Sequence, residues 1–116
     1  MDAKSFAECW QEDWNSHDLD RILSHYTEDI VFRSNKAVPI AGTGELIGKP
    51  ALRKYWAAAL DRQPDLAFRV RDVFHGYHMM VITYVNQRGV LAAETLYFDE
   101  TGRVYRAAAC HGEPGA

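Results

Sequence analysis

The sequence is short of what a metal centre, a disulfide scaffold or a membrane span requires. It has two cysteines in 116 residues, Cys9 and Cys110. Neither stands in a CxxC pair or at a metal-ligand spacing, and both read as small buried thiols in a reducing compartment. No His/Asp/Glu cluster has the spacing of a metal site, so no metal and no cofactor is expected. There is no GxSxG, no P-loop and no GxGxxG. No apolar run approaches the roughly 20 residues that cross a bilayer. The opening MDAKSFAECW lacks the basic-then-apolar pattern of a secretory leader, so no membrane partner and a cytoplasmic location are expected. Positive charge is not in excess either: 13 Lys+Arg stand against 16 Asp+Glu, for a net −3. That mild acidity argues against a nucleic-acid partner.

What is present fits one globular domain over residues 1–116. Hydrophobic residues make up 47% and charged residues 25%, a balance that excludes disorder. A chain of this length suits one core, and no repeat or linker divides it.

Residues 3 to 16 read as a helix, because Ala3, Phe6, Ala7, Trp10 and Trp14 recur on one face. Asp18 is placed to cap a short second helix carrying Leu19, Ile22 and Leu23. Ile30 to Arg33 is a β-branched and aromatic run, read as a strand. Residues 34 to 48, with Pro39 and three glycines, read as a long irregular loop. Pro50 then stands in the tolerant first turn of a third helix, whose stripe is Leu52, Tyr55, Trp56, Ala59 and Leu60 and which Pro64 stops. The remainder reads as a four-strand meander over residues 66–71, 78–86, 90–98 and 103–111, with turns near Gln87-Arg88-Gly89 and at Asp99 to Gly102. The tail, 112 to 116, reads as frayed. Helices segregated from an antiparallel sheet define the α+β class. A meander of this kind curves as it twists, so three helices can cover its concave face around a pocket.

Two side-chain sets compete for the inner face of the 90–98 strand. Val90, Ala92, Glu94, Leu96 and Phe98 form one, and Leu91, Ala93, Thr95 and Tyr97 the other. Both are fairly apolar, so alternation leaves the choice open. If the first set is inward, Glu94 is a lone carboxylate among apolar groups, which resists ionisation. A carboxyl kept neutral can donate a hydrogen bond to a carbonyl or a developing oxyanion. The competing roles for Glu94 are a structural bond to Tyr84, Asn86 or a backbone amide, and exposure to solvent or a partner. His111, aligned with Ala107 and Ala109, is either a proton shuttle or a polar lid at the pocket mouth. His17, His25, His75 and His78 fall at element ends and read as surface or capping groups. The candidate ligand-binding residues are Trp10, Trp14, Phe32, Tyr55, Trp56, Tyr84, Asn86 and Leu96, on inner faces that suit a small apolar or aromatic ligand. Asp13 and Asn15, near the end of the first helix, are further candidates for polar contacts.

Trp14-Asn-Ser-His-Asp-Leu-Asp-Arg-Ile, Tyr26-Thr-Glu-Asp-Ile-Val-Phe32, Gly48-Lys-Pro-Ala-Leu-Arg-Lys-Tyr-Trp56 and Glu94-Thr-Leu-Tyr-Phe-Asp-Glu-Thr-Gly-Arg-Val104 together resemble the nuclear-transport-factor-2-like superfamily. The nearest flavour is its SnoaL-like, polyketide cyclase-like group. The resemblance spans nearly the whole chain and implies a cone-shaped α+β barrel, often a homodimer packed through the outer face of the sheet. It is specific for fold and weak for activity, because this architecture hosts many chemistries. Against the ketosteroid isomerases of the same fold, the strand acid of the oxyanion hole falls on Glu94. The general base, however, falls on Ser34 and the first-helix tyrosine on Trp10, so steroid isomerisation by that mechanism is not expected. The resemblance implies an acid/base residue in the pocket, with Glu94 and His111 as the candidates. Three readings follow: a cofactor-independent acid/base enzyme acting on an apolar carbonyl compound, a ligand-binding module without turnover, and a dimer whose pocket is filled by its own side chains.

Overall fold

The computed structural model describes residues 2–113. Helix α1, Ala3–Ser16, opens where the Asp2 side chain accepts a hydrogen bond from the Ser5 amide, a cap that satisfies one otherwise free donor. It buries Phe6, Ala7, Trp10, Asp13 and Trp14 and closes on His17 in the left-handed conformation (φ 60°). The His17 ring bonds the Leu66 carbonyl at 2.7 Å, tying that turn to the chain entering the sheet. Helix α2, Leu19–Leu23, is capped by Asp18 as its sequence implies. Helix α4, Lys49–Arg62, carries Pro50 in its first turn and buries Leu52, Tyr55 and Trp56.

Among the described residues, six strands make one sheet in the order β2-β1-β6-β5-β4-β3. They are β1 Tyr26–Ser34, β2 Glu45–Ile47, β3 Arg69–Gly76, β4 Met79–Val85, β5 Leu91–Phe98 and β6 Val104–His111. The four-strand meander is present, with its first strand running over Arg69–Gly76 instead of residues 66–71, and all pairs are antiparallel except β1 with β6, which run parallel. That pair returns the chain from the last strand to the first and widens the meander into a larger sheet. Register shifts in β1, β3 and at the β5–β6 pair bend the strands and increase their twist, so the sheet curves. The end strands β2 and β3 do not meet, so the sheet stays unclosed.

Several boundaries differ from the sequence reading. The span 34 to 48 is not irregular throughout. It holds a 3-10 turn, Asn35–Ala37, the short helix α3, Val38–Ala41, and strand β2, which pairs with β1. Three residues, Glu45 to Ile47, are too few to show a period. Strand β1 begins at Tyr26 because its polar stretch Glu28-Asp29 faces solvent while Tyr26 and Ile30 are buried. Leu66 to Phe68 precede β3 rather than opening it. Asn15 bonds both the amide and the carbonyl of Phe68, and Gln11 accepts from the Val70 amide, so α1 clips the chain before pairing begins. His78 lies in the β3–β4 turn at φ 51°, not in the strand. Neither cysteine is fully buried: Cys110 is exposed and Cys9 half-buried. Of the tail read as frayed, Gly112 donates to the Leu91 carbonyl, and residues 114–116 lie outside the described residues.

The core lies between the concave face and the helices. Trp14 meets Trp56 edge-on at 4.9 Å, Trp56 meets Tyr26 and Phe32, and Trp10 and Phe68 both pack on Tyr84. Such pairs each add about 0.5–1.5 kcal/mol beyond the area they bury. No helix among the described residues is long and apolar enough to cross a membrane.

Candidate active site

The alternation along β5 resolves in favour of the first set: Ala92, Glu94 and Leu96 are buried, and Leu91 and Tyr97 are exposed. Glu94 therefore lies inside, at 5% exposure. Its cross-strand partners are Ile82 on β4 and Ala109 on β6, and Ala109 in turn pairs with Ser34 on β1. Ser34, Ala92 and Ala109 are small, so the concave face is not filled at this level. A cavity of about 340 Å³ remains, with Glu94 in its wall.

The cavity has two zones. Its buried part is formed by Trp14, Phe32, Tyr55, Trp56, Tyr84 and Glu94, with Ser34 and Ala92 between them. Its rim is polar, with Lys36, Arg62 and Arg88 exposed and His111 half-buried. The short elements of the 34–48 span supply Lys36, Pro39 and Ile40, so this segment edges the cavity.

Burial pushes the Glu94 carboxyl up to about 8, and the Tyr84 hydroxyl opposes that only in part. Tyr84 donates to Glu94 Oε1 at 3.4 Å, well beyond the usual O–H···O length, and Glu94 Oε2 is buried with no hydrogen-bond partner among the described residues. At neutral pH the group is therefore mostly a carboxylic acid, able to donate. Tyr84 is itself held well above its ordinary range, first by burial and then by Glu94. Tyr55 is raised by burial, with the Ser34 hydroxyl opposing and Glu94 adding. His111 is lowered by burial and by the nearby Lys36 ammonium, so its ring is neutral and can accept a proton. Glu94 and His111 are diagonal neighbours across β5 and β6, because Glu94 pairs with Ala109 and Ala92 with His111. Sheet geometry sets such positions about 7–8 Å apart, room for a carbonyl and its α-carbon between them.

The structure brings most of the candidates together. Glu94, His111, Trp14, Phe32, Tyr55, Trp56, Tyr84 and Asn86 all line the cavity. Trp10 and Leu96 do not: both are fully buried in the core behind it. Leu96 is one strand step past Glu94, and Trp10 is one helical turn before Trp14, so each shares a face with a lining residue without reaching the hollow. Asn86 lines the cavity, but its carboxamide oxygen is committed to the β4–β5 turn, accepting from the Arg88 and Val90 amides. Asp13 and Asn15 serve the scaffold instead. Asp13 pairs with Arg21 and His25, and Asn15 holds Phe68. His25 is thus a half-buried structural group rather than a surface one. The rim cations were not among the candidates. They come from three elements far apart in sequence, and only the curvature of the sheet gathers them.

A curved, unclosed α+β sheet with helices over its concave face and a walled hollow defines a small-molecule-binding architecture. The chain belongs to the SnoaL-like domain family, which matches residues 7–112. A SnoaL-like protein of unknown function from Burkholderia thailandensis E264 is 38% identical, with a TM-score of 0.91, over 96% of this chain and 94% of that one. Two more distant structures share the fold alone. TerC, co-crystallised with polyporic acid, is 12% identical at a TM-score of 0.78, over 95% of this chain and 91% of that one. SalBIII, described as an epoxide hydrolase/cyclase-like enzyme in pyran ring formation in the polyether salinomycin, is 14% identical at 0.74, over 95% and 90%. No curated protein matches the sequence.

Proposed function

We propose that the protein binds a small, mainly apolar carbonyl compound in the hollow and performs cofactor-independent acid/base chemistry on it. The observation that carries this reading is the buried Glu94 carboxyl in the cavity wall, with one oxygen weakly bonded and the other unpartnered. A structural carboxyl would be expected to have its bonds satisfied by the protein. Glu94 acts as acid, giving its proton or a hydrogen bond to the carbonyl oxygen. The neutral His111 ring takes a proton from the α-carbon; the resulting enol then gives its hydroxyl proton back to Glu94 and either regains a carbon-bound proton from His111 or forms a bond to an acceptor carbonyl of the same molecule, whose oxygen takes the His111 proton. Tyr84 orients Glu94, and the rings of Trp14, Phe32 and Trp56 hold the apolar body. The part that SalBIII, of the same fold, plays in pyran ring formation is in keeping with this. A hollow of about 340 Å³ speaks against the reading in which the protein fills its own pocket.

The test is α-proton exchange into a panel of enolisable aromatic ketones and β-ketoesters in D2O, followed by NMR. Wild-type protein should accelerate exchange for at least one compound, and Glu94→Gln should lose about 10²–10⁴-fold of that rate. Tight binding with no exchange above background would instead support a binding module.

We also propose that a second copy packs on the outer face of the sheet. Phe74, Val81, Thr95 and Ala108 lie side by side there on β3 to β6, uncharged across the row.

A further inference from the structure

We infer that the ligand carries an anionic group, a carboxylate or a comparable oxyanion, held at the rim of the cavity by Lys36, Arg62 and Arg88. This rests on the reading of the hollow as a small-molecule site and adds a charge to that small molecule.

The three cations come from different elements: Lys36 from the 3-10 turn after β1, Arg62 from the last turn of α4, and Arg88 from the β4–β5 turn. All three line the same cavity. Among the described residues none of them is in an ion pair; of the 13 Lys and Arg side chains, four, Arg21, Arg33, Lys49 and Arg53, have a carboxylate partner there. Asp61 and Asp65 flank Arg62 in sequence, yet neither reaches ion-pair distance. Among the described residues, the cavity wall contains one acidic side chain, Glu94, at its buried end.

A chain with three more acidic than basic residues thus places three unneutralised cations around one opening. Low-dielectric walls focus the field of such a rim and draw anions toward it. The two guanidiniums match a carboxylate or phosphate oxygen pair, and the flexible lysine adds a third donor. The zones then sort a substrate end to end: its apolar ring on the tryptophans, its carbonyl at Glu94, and its anionic group outward.

The test uses 2-naphthoate and its neutral isostere 2-naphthamide, titrated into the full chain by calorimetry and by quenching of tryptophan fluorescence. Naphthoate should bind about ten-fold more tightly at low salt, the sum of three modest exposed charge interactions. That preference should shrink in 0.5 M salt and should fall to near unity in the Lys36→Met/Arg62→Met/Arg88→Met variant, with naphthamide affinity unchanged. Arg33→Met, which removes an exposed cation away from the cavity, should leave the preference intact. α-Proton exchange into a neutral ketone, measured on the same wild-type protein, tests the role of Glu94 and separates this inference from the catalytic reading. Equal affinities for the two probes, a preference that survives the triple substitution, or no binding of either would each overturn the anionic rim. The first two outcomes would leave the role of Glu94 standing. All three positions are exposed, so the variant should fold, as circular dichroism and Tm will report.

Discussion

The Tyr84 hydroxyl donates to Glu94 Oε1 across 3.4 Å, and among the described residues it is the one donor to this buried carboxyl. A donor to the charged form favours ionisation, so Tyr84 works against the desolvation that raises Glu94. Tyr84→Phe should therefore move the Glu94 midpoint further upward, as a 13C titration of the glutamate carboxyls will show. An unchanged or lower midpoint would mean that the contact does not couple the two groups. Because the bond is long, the stability cost should be at the low end of the usual 0.5–1.5 kcal/mol.

Glu94 also sets a pH dependence of folding. Its folded pKa of about 8 lies above the ordinary 4.5. Between those values the folded chain keeps a proton that the unfolded chain has released. The contribution is therefore complete below about pH 4.5, declines as pH rises by at most about 1.4 kcal/mol per unit, and is exhausted above about pH 8. Glu94→Gln, a neutral isostere, should remove that decline. Urea unfolding from pH 5 to 9 should give a variant that gains on the wild type as pH rises. Parallel profiles would mean that the carboxyl ionises freely.

His111 is depressed by burial and by Lys36. Lys36→Met should raise its midpoint, read from the Hε1 resonance. The sign for stability is the reverse of that for Glu94. The folded chain resists protonating this ring, so stability is lost as pH falls below the ordinary 6.5, and the variant should lose less of it.

Asp13 joins α1 to α2 and to the turn before β1 through Arg21 Nη2 at 3.0 Å and His25 Nε2 at 2.5 Å. Asp13→Ala should destabilise by about 1–3 kcal/mol, since it leaves a half-buried ring and a guanidinium without their acceptor. For a chain of this size that is a fall in Tm of roughly 5–15 °C. A change below about 2 °C would make the network incidental. Ligand binding should be unaffected, because Asp13 does not line the cavity.

On the outer face, Thr95 stands between Val81 and Ala108. Thr95→Arg would set a desolvated charge in the centre of the proposed dimer contact. Sedimentation velocity should show a dimer for the wild type and a monomer for the variant, both with a native circular dichroism spectrum. A wild-type monomer would remove the proposal.

The elements of this chain were written locally. The tryptophan spacing of α1, the Asp18 cap, the proline bounds of α4 and the turn residues of the meander each act within a few residues, so they can be read in line. The sequence also carried the candidate acid, Glu94, as one polar residue in an apolar set, but not its direction. Both sets on β5 were apolar enough to be buried, and only packing against Ile82 and Ala109 chose between them. The parallel β1–β6 pair, the hollow left by Ser34, Ala92 and Ala109, and the gathering of Lys36, Arg62 and Arg88 were decided by tertiary structure. Each depends on strands and turns far apart in the chain meeting on one curved sheet, and no local pattern encodes a meeting of that kind.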